Sequence, residues 1–272
     1  MVKVGAIIQV RLGSERLPGK ALLPLPFGGN TSLLEHVVNN AQSASSLQQT
    51  IVATTTRPDD DAIDAFCKEK AIPCLRGSAD NVLDRFRQAA HTYELDVIVR
   101  LTGDNPFVLP TTIDQAVEKL LQTESDYIIT IGLPLGTNVE VFTRQALETA
   151  ATEASEAADR EHVTPYIRRK ANLNRQTLPY TSPIEALRLT VDYPTDYALA
   201  SMIMDRLWKQ GQPVMHEQIG NLLQENPWLQ EVNAANSQRQ VFESEEEEIA
   251  AAKKMLQAGG FTKALRKLRE RS

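Results

Sequence analysis

Lys3-Val4-Gly5-Ala6-Ile7-Ile8-Gln9-Val10-Arg11-Leu12-Gly13-Ser14-Glu15-Arg16-Leu17-Pro18-Gly19-Lys20 begins as an apolar, β-branched run and breaks into a loop with two glycines and three cations. The run from Lys3 to Val10 reads as a buried strand. The loop follows directly, so it lies at the carboxyl end of that strand, where open α/β sheets bind their ligands. Gly13 and Gly19 let the backbone turn tightly and bring amides toward a ligand, while Arg11, Arg16 and Lys20 add charge suited to a triphosphate. It is not a Walker A loop, because five residues separate Gly13 from Gly19 and Ala21 follows Lys20 where a Ser or Thr would hold magnesium. Nor does it contain GxGxxG. Spacing alone leaves a basic surface loop as the alternative.

Outward from this segment, strand and helix patterns alternate. Ser32 can cap a helix from Leu33 to about Gln42. Thr50 to Thr56 is β-branched and ends at Arg57-Pro58. Asp59 to Lys70 and Asp80 to Tyr93 read as helices, the second with Leu83, Phe86 and Ala90 on one face. Val97 to Leu101 is a strand, Thr111 to Gln122 a helix and Tyr127 to Ile131 a strand. Arg188 to Val191 reads as a late strand before a helix from Thr195 to Lys209. This order predicts an α/β fold: a three-layer, mostly parallel sheet with helices on both faces.

Composition narrows the partners. The 272 residues carry a net charge of −6, which argues against nucleic-acid binding through the overall field and makes any anion site local. The N-terminal apolar run is too short to span a bilayer, so a cytoplasmic protein without a membrane segment is expected. Cys67 and Cys74 match neither a zinc site nor a disulfide framework and read as two buried free thiols. His36 and His91 fall in amphipathic helices as packing or surface residues. The tail, residues 236–272 after a domain of 1–235, reads as a helix capped by Ser244 with Glu245 to Glu248 at its start, then a basic segment from Thr262 to Arg271. With no interleaved aromatic beyond Phe261, that segment reads as a solvated terminal helix.

The run Ala6-Ile7-Ile8-Gln9-Val10-Arg11 through Ser14, Arg16-Leu17-Pro18 and Lys20 resembles the signature of the CMP-sugar synthetase superfamily, which includes the acylneuraminate and Kdo cytidylyltransferases. Val52-Ala53-Thr54-Thr55, Arg76-Gly77-Ser78 with Asn81-Val82-Leu83-Asp84-Arg85, Arg100-Leu101-Thr102-Gly103-Asp104-Asn105-Pro106, Val139-Glu140-Val141-Phe142 and Arg160-Glu161-His162-Val163-Thr164-Pro165-Tyr166 follow in the order of its spore coat polysaccharide biosynthesis protein F branch. The resemblance covers roughly Met1 to Asp196. Leu135-Gly136-Thr137-Asn138 departs from the usual Asp-Gly before the Glu-Val-Phe segment.

The resemblance implies a nucleotide-diphospho-sugar transferase-like sheet, Rossmann-like and akin to GT-A folds, and transfer of CMP from CTP to a sugar acid with release of pyrophosphate. Nucleotidyl transfer gathers negative charge on phosphate oxygens, so positioned cations and a metal carry most of the catalysis. Arg11, Lys20 and Asp104 become the expected catalytic residues, with Arg16 also on the phosphates. Asp104 and Asp192 are the expected ligands of Mg²⁺ (or Mn²⁺), which favours carboxylates and phosphate oxygens. An Asx turn at Asp104 and a helix cap at Asp192 are the structural alternatives.

Nucleotide recognition falls to Ala6, Ile7 and Gln9, partly through backbone groups, to Gly13 and Ser14, and to Arg76, Gly77, Ser78 and Asn81. Asp80 reads equally as a helix cap or a ligand-side residue, and Asp84 with Arg85 equally as a solvated surface pair or ligand-side residues. Asn138, Glu140, Arg160, Glu161 and His162 are the expected acceptor side, Glu140 projecting from an edge strand. A homodimer is implied, built through an insertion at about 132–185 and the helices after Thr195. Two other classes stay open: a GT-A-like glycosyltransferase, for which Asp59-Asp60-Asp61 supplies the letters of an Asp-x-Asp motif, and a non-catalytic nucleotide-binding protein.

Overall fold

A computed structural model describes residues 2–236 and 245–269, and the chain divides after Asn236. The strands are β1 (Val4–Gln9), β2 (Gln49–Thr55), β3 (Cys74–Gly77), β4 (Val97–Thr102), β5 (Tyr127–Ile131), β6 (Glu140–Thr143) and β7 (Arg175–Pro179). The helices of the first unit are α1 (Leu33–Gln42), α2 (Asp61–Glu69), α3 (Val82–Thr92), α4 (Pro110–Gln122), α5 (Arg144–Glu153), α6 (Ala157–His162), α7 (Pro165–Arg169), α8 (Pro194–Leu207) and α9 (His216–Glu225). The second unit holds α10 (Glu245–Ala258) and α11 (Thr262–Arg269); Ser244, the expected cap, lies outside the described residues.

The sheet order is β3-β2-β1-β4-β6-β5-β7, and only β6 runs against its neighbours among the described residues. Strand alternation sends Ala6 and Ile8 to a core with α1, α2 and α4, and Ile7 to one with α3, α5 and α7. A third cluster joins α8 and α9 to Leu25, Leu33, Phe107, Leu189 and Val191. Both faces of the sheet are covered, so its open carboxyl end is the natural ligand site.

Several sequence expectations change. Arg188 to Val191 adds no strand: Leu189 N–H donates to Leu135 O at 2.8 Å and Val191 N–H to Asp104 O at 2.9 Å, so the segment ties two loops above the sheet. β7 alternates exposed Arg175, Thr177 and Pro179 with half-buried Gln176 and Leu178, a pattern without an apolar run to mark it. β6 lies between β4 and β5, so Glu140 is not on an edge. Asn81, not Asp80, caps α3 by accepting from Asp84 N–H. Asp84 pairs with Arg87, while Arg85 is buried, so the two are not a solvated pair. Cys67 and Cys74 are free, but only Cys67 is fully buried. His36 packs edge-on against Trp208 in the core, and His91 is exposed.

Candidate active site

The glycine-basic loop leaves β1 and is pinned at its base. Leu12 N–H donates to Asp60 Oδ1 at 2.7 Å, and the Thr55 hydroxyl at the end of β2 donates to the other oxygen of the same carboxylate. Gly19 takes the left-handed conformation, φ +69°, that lets the loop turn into the short helix carrying Lys20. Asp60, the middle residue of Asp59-Asp60-Asp61, is thereby committed to the loop, and Asp61 pairs with Arg76 at 2.7 Å.

Lys20 reaches back over the sheet. Its ammonium donates to Asp104 Oδ2 at 2.7 Å, Asp192 Oδ1 at 2.8 Å and Val191 O at 2.9 Å, which uses all three protons. Asp104 follows β4 through Gly103, where a Cβ would lie 2.8 Å from that of Val10; the missing side chain lets the two strand ends close together. The other Asp104 oxygen accepts from Thr102 Oγ1 at 2.6 Å. Asp192 has the same division: its second oxygen accepts from Arg188 Nη2 at 2.7 Å. Arg16 stands 3.8 Å from Asp192 and stacks on the Tyr193 ring at 4.7 Å.

Electrostatics follow this arrangement. Burial opposes the charge on Lys20, but Asp104 and Asp192 outweigh it and hold the ammonium above the ordinary lysine range. Burial likewise works against the Asp192 charge, and Lys20, Arg16 and Arg188 together keep that carboxyl below its ordinary range. The Asp104 and Asp192 side chains retain 24% and 22% exposure, enough for a ligand to reach them. Two converging carboxylates beside a glycine-basic loop fit a hard divalent cation, which favours carboxylate and phosphate oxygens. No cluster of three or more His, Cys, Asp or Glu occurs among the described residues, so the protein would supply only part of such an ion's shell.

Other expected residues have different surroundings. Ala6 and Ile7 are fully buried and paired on both sides by β2 and β4, so their backbone groups serve the sheet and not a nucleotide. Gln9, at the open end, keeps a buried Oε1 without a hydrogen-bond partner. Arg11 and Gly13 are exposed, and Ser14 Oγ accepts from Leu17 N–H at 3.3 Å. Arg76 binds Thr55 O and Arg57 O and pairs with Asp61; Ser78 Oγ accepts from the amides of Asp80 and Asn81. With Gly77 they form the rim where β3 enters α3, at the same end of the sheet as Gln9.

On the expected acceptor side, Glu140 accepts from Arg100 Nη1 at 2.6 Å, Tyr127 Oη at 2.5 Å and Thr164 Oγ1 at 2.8 Å. Its carboxylate is buried and fully engaged, which corrects the expectation that it projects into a cleft. Asn138 bridges its own loop through Leu133 O and Thr130. Arg160 and Glu161 are exposed on α6, and His162 ends that helix half-buried.

Sequence reading missed Asp60, Arg188 and Asp196. Asp196 is fully buried and accepts from Arg188 Nε, the amides of Asp192 and Tyr193, and the side chains of Asn233 and Asn236. It caps α8 from Tyr193 onward, so Asp192 is released from the capping role. Arg188 four residues before Asp192 and eight before Asp196 was the available signal, because one guanidinium can bridge two carboxylates.

A Rossmann-like α/β sheet whose cationic loop and two carboxylates meet at its carboxyl end defines a nucleotidyltransferase. The cytidylyltransferase family model matches residues 5–249, and the chain belongs to that family. It is 35% identical over 229 residues to the spore coat polysaccharide biosynthesis protein SpsF of Bacillus subtilis, covering 81% of this chain and 94% of the relative. It is also 31% identical over 127 residues to the 3-deoxy-manno-octulosonate cytidylyltransferase of Pelobacter propionicus, 46% of this chain and 47% of that one. Among solved structures, a cytidylyltransferase from Leptospira borgpetersenii serovar Hardjo-bovis superposes with a TM-score of 0.78 at 27% identity, over 89% of this chain and all of the other.

Proposed function

We propose that this cytidylyltransferase joins CMP from CTP to a hydroxyl of a sugar acid, using Mg²⁺ (or Mn²⁺) held by Asp104 and Asp192. The acceptor oxygen bonds to the α-phosphorus, the bond from that phosphorus to the bridging oxygen breaks, pyrophosphate leaves, and the hydroxyl proton passes to solvent. The observation that carries this reading is the convergence of Asp104 Oδ2 and Asp192 Oδ1 on one cation position at the mouth of the Arg11–Lys20 loop. Arg11, Arg16 and Lys20 bind the triphosphate and balance the charge that accumulates on the leaving group. The divalent ion would supply further charge neutralisation at the same oxygens.

Gln9 and the Arg76–Asn81 rim lie beside the base, and Asn138, Arg160, Glu161 and His162 remain on the proposed acceptor side. Glu140 now acts there through Thr164 and Tyr127. A role in surface polysaccharide biosynthesis is supported by the likeness to SpsF, a spore coat polysaccharide biosynthesis protein; a cytoplasmic location and a homodimer complete the proposal, and no helix among the described residues is long and apolar enough to cross a membrane. The test is incubation with CTP, Mg²⁺ and a panel of sugar acids. Equimolar pyrophosphate and CMP-sugar are expected. Release of a nucleoside diphosphate from a sugar nucleotide would instead place the protein among glycosyltransferases.

A further inference from the structure

The three cations around Asp104 and Asp192 are not equivalent. Each carboxylate has one oxygen held by a neighbouring donor: Thr102 on Asp104 at 2.6 Å and Arg188 on Asp192 at 2.7 Å. The remaining oxygen of each points to the same place, and the Lys20 ammonium fills it. Those two oxygens are also the ones that would be offered to a divalent ion held by Asp104 and Asp192, and an ammonium and a metal cannot occupy one position. Lys20 sits on a flexible stem, in the loop that binds phosphates, so it can change partners. Arg188 cannot: its side chain is 8% exposed and its Nε is locked to Asp196, whose own carboxylate takes two backbone amides and two asparagines.

We propose that Lys20 occupies the divalent-cation position in the nucleotide-free protein and yields it to the metal when a triphosphate arrives, while Arg188 is the positioning residue that keeps Asp192 aimed throughout the exchange. This rests on the reading of Asp104 and Asp192 as metal ligands. Triphosphate oxygens would offer the displaced Lys20 ammonium a new anion, so Lys20 would leave the two carboxylates only when nucleotide is bound. With Arg188 holding Oδ2, Asp192 keeps Oδ1 turned to that position.

The test measures Mn²⁺ binding to the full chain by electron paramagnetic resonance, first without nucleotide. Wild type should bind Mn²⁺ only weakly, and Lys20→Met should bind it at least roughly tenfold more tightly, since the competing cation is gone and two carboxylates face each other. Lys20→Met with Asp104→Asn should lose the gain, which assigns the ion to this site. Lys20→Met with Arg188→Lys should also lose most of it, because a single ammonium lacks the rigid planar fork that sets Nε on Asp196 and Nη2 on Asp192 at once. Thermal melts with and without Mn²⁺ give a second readout: the ion should raise the melting temperature of Lys20→Met and not of wild type.

Equal Mn²⁺ affinity in wild type and Lys20→Met, or a gain that survives Asp104→Asn, overturns the exchange. A gain that survives Arg188→Lys overturns the positioning role. Pyrophosphate release by wild type is a separate measurement, so cytidylyl transfer can stand while the exchange falls.

Discussion

Lys20 and Asp104, 84 residues apart in sequence, are joined by a 2.7 Å charge-assisted hydrogen bond across the carboxyl end of the sheet. That contact closes the distance between the cationic loop and the acidic strand end. Lys20→Ala and Arg11→Ala should each weaken CTP binding by about 1.5–3 kcal/mol, the loss expected for a charge-assisted phosphate contact. Isothermal titration with CTP and Mg²⁺ measures it, and far-ultraviolet circular dichroism should be unchanged. Wild-type affinity in both variants would remove the loop from the nucleotide site.

Asp60 provides a test outside the expected ligand set. Its carboxylate receives both the Leu12 amide and the Thr55 hydroxyl. Asp60→Ala leaves a part-buried amide and a buried hydroxyl without their acceptor and should cost roughly 1–3 kcal/mol of stability. Because Leu12 follows Arg11, KM for CTP should rise along with the loss in melting temperature. A variant that melts early but keeps the wild-type KM would confine Asp60 to folding.

Glu140 makes a prediction about pH. Burial raises the energy of its charge, but Arg100 first, then the Tyr127 and Thr164 hydroxyls, hold the carboxyl below its ordinary value of 4.5. The folded state therefore binds this proton less readily than the unfolded chain. The resulting stability is fully present above about pH 4.5 and is lost as pH falls through the lower folded value. Glu140→Gln strands the Arg100 charge, 17% exposed, and should destabilise the protein by about 3–5 kcal/mol at neutral pH. Denaturant melts at pH 7 and pH 4 should show a smaller acid loss in the variant than in wild type. An identical pH slope in both would exclude Glu140 as a source of acid sensitivity.

The nucleotide half of the molecule was legible because its signals are local. An apolar run, two glycines and three cations in sequence place the loop at a strand end, and Thr102-Gly103-Asp104 places a carboxylate beside it. Asp192 was legible only through resemblance, and the strand expected before it is a loop-tying segment whose partners, Leu135 and Asp104, are remote in sequence. Arg188 and Asp196 look like ordinary helix-entry charges until the fold brings Asn233 and Asn236 onto them. Glu140 was misplaced because alternation gives a side chain's face but not the strand's position in the sheet: β6 pairs with both β4 and β5.

Assembly is a further expectation. The proposed homodimer should run in multi-angle light scattering at about twice the 30.2 kDa chain mass at micromolar concentration. A single 30.2 kDa species across that range would leave the acceptor side to one chain alone.

The proposed CMP transfer requires the carboxylate pair beside Lys20, a dependence that pyrophosphate release by Asp104→Asn measures. The substitution keeps the shape of the side chain and removes the charge that the divalent ion needs. With CTP, Mg²⁺ and an accepted sugar acid, wild type should release one pyrophosphate per CMP-sugar formed, while Asp104→Asn, folded to the same melting profile, should lose at least roughly a hundredfold in turnover. Wild-type turnover in Asp104→Asn would contradict the account.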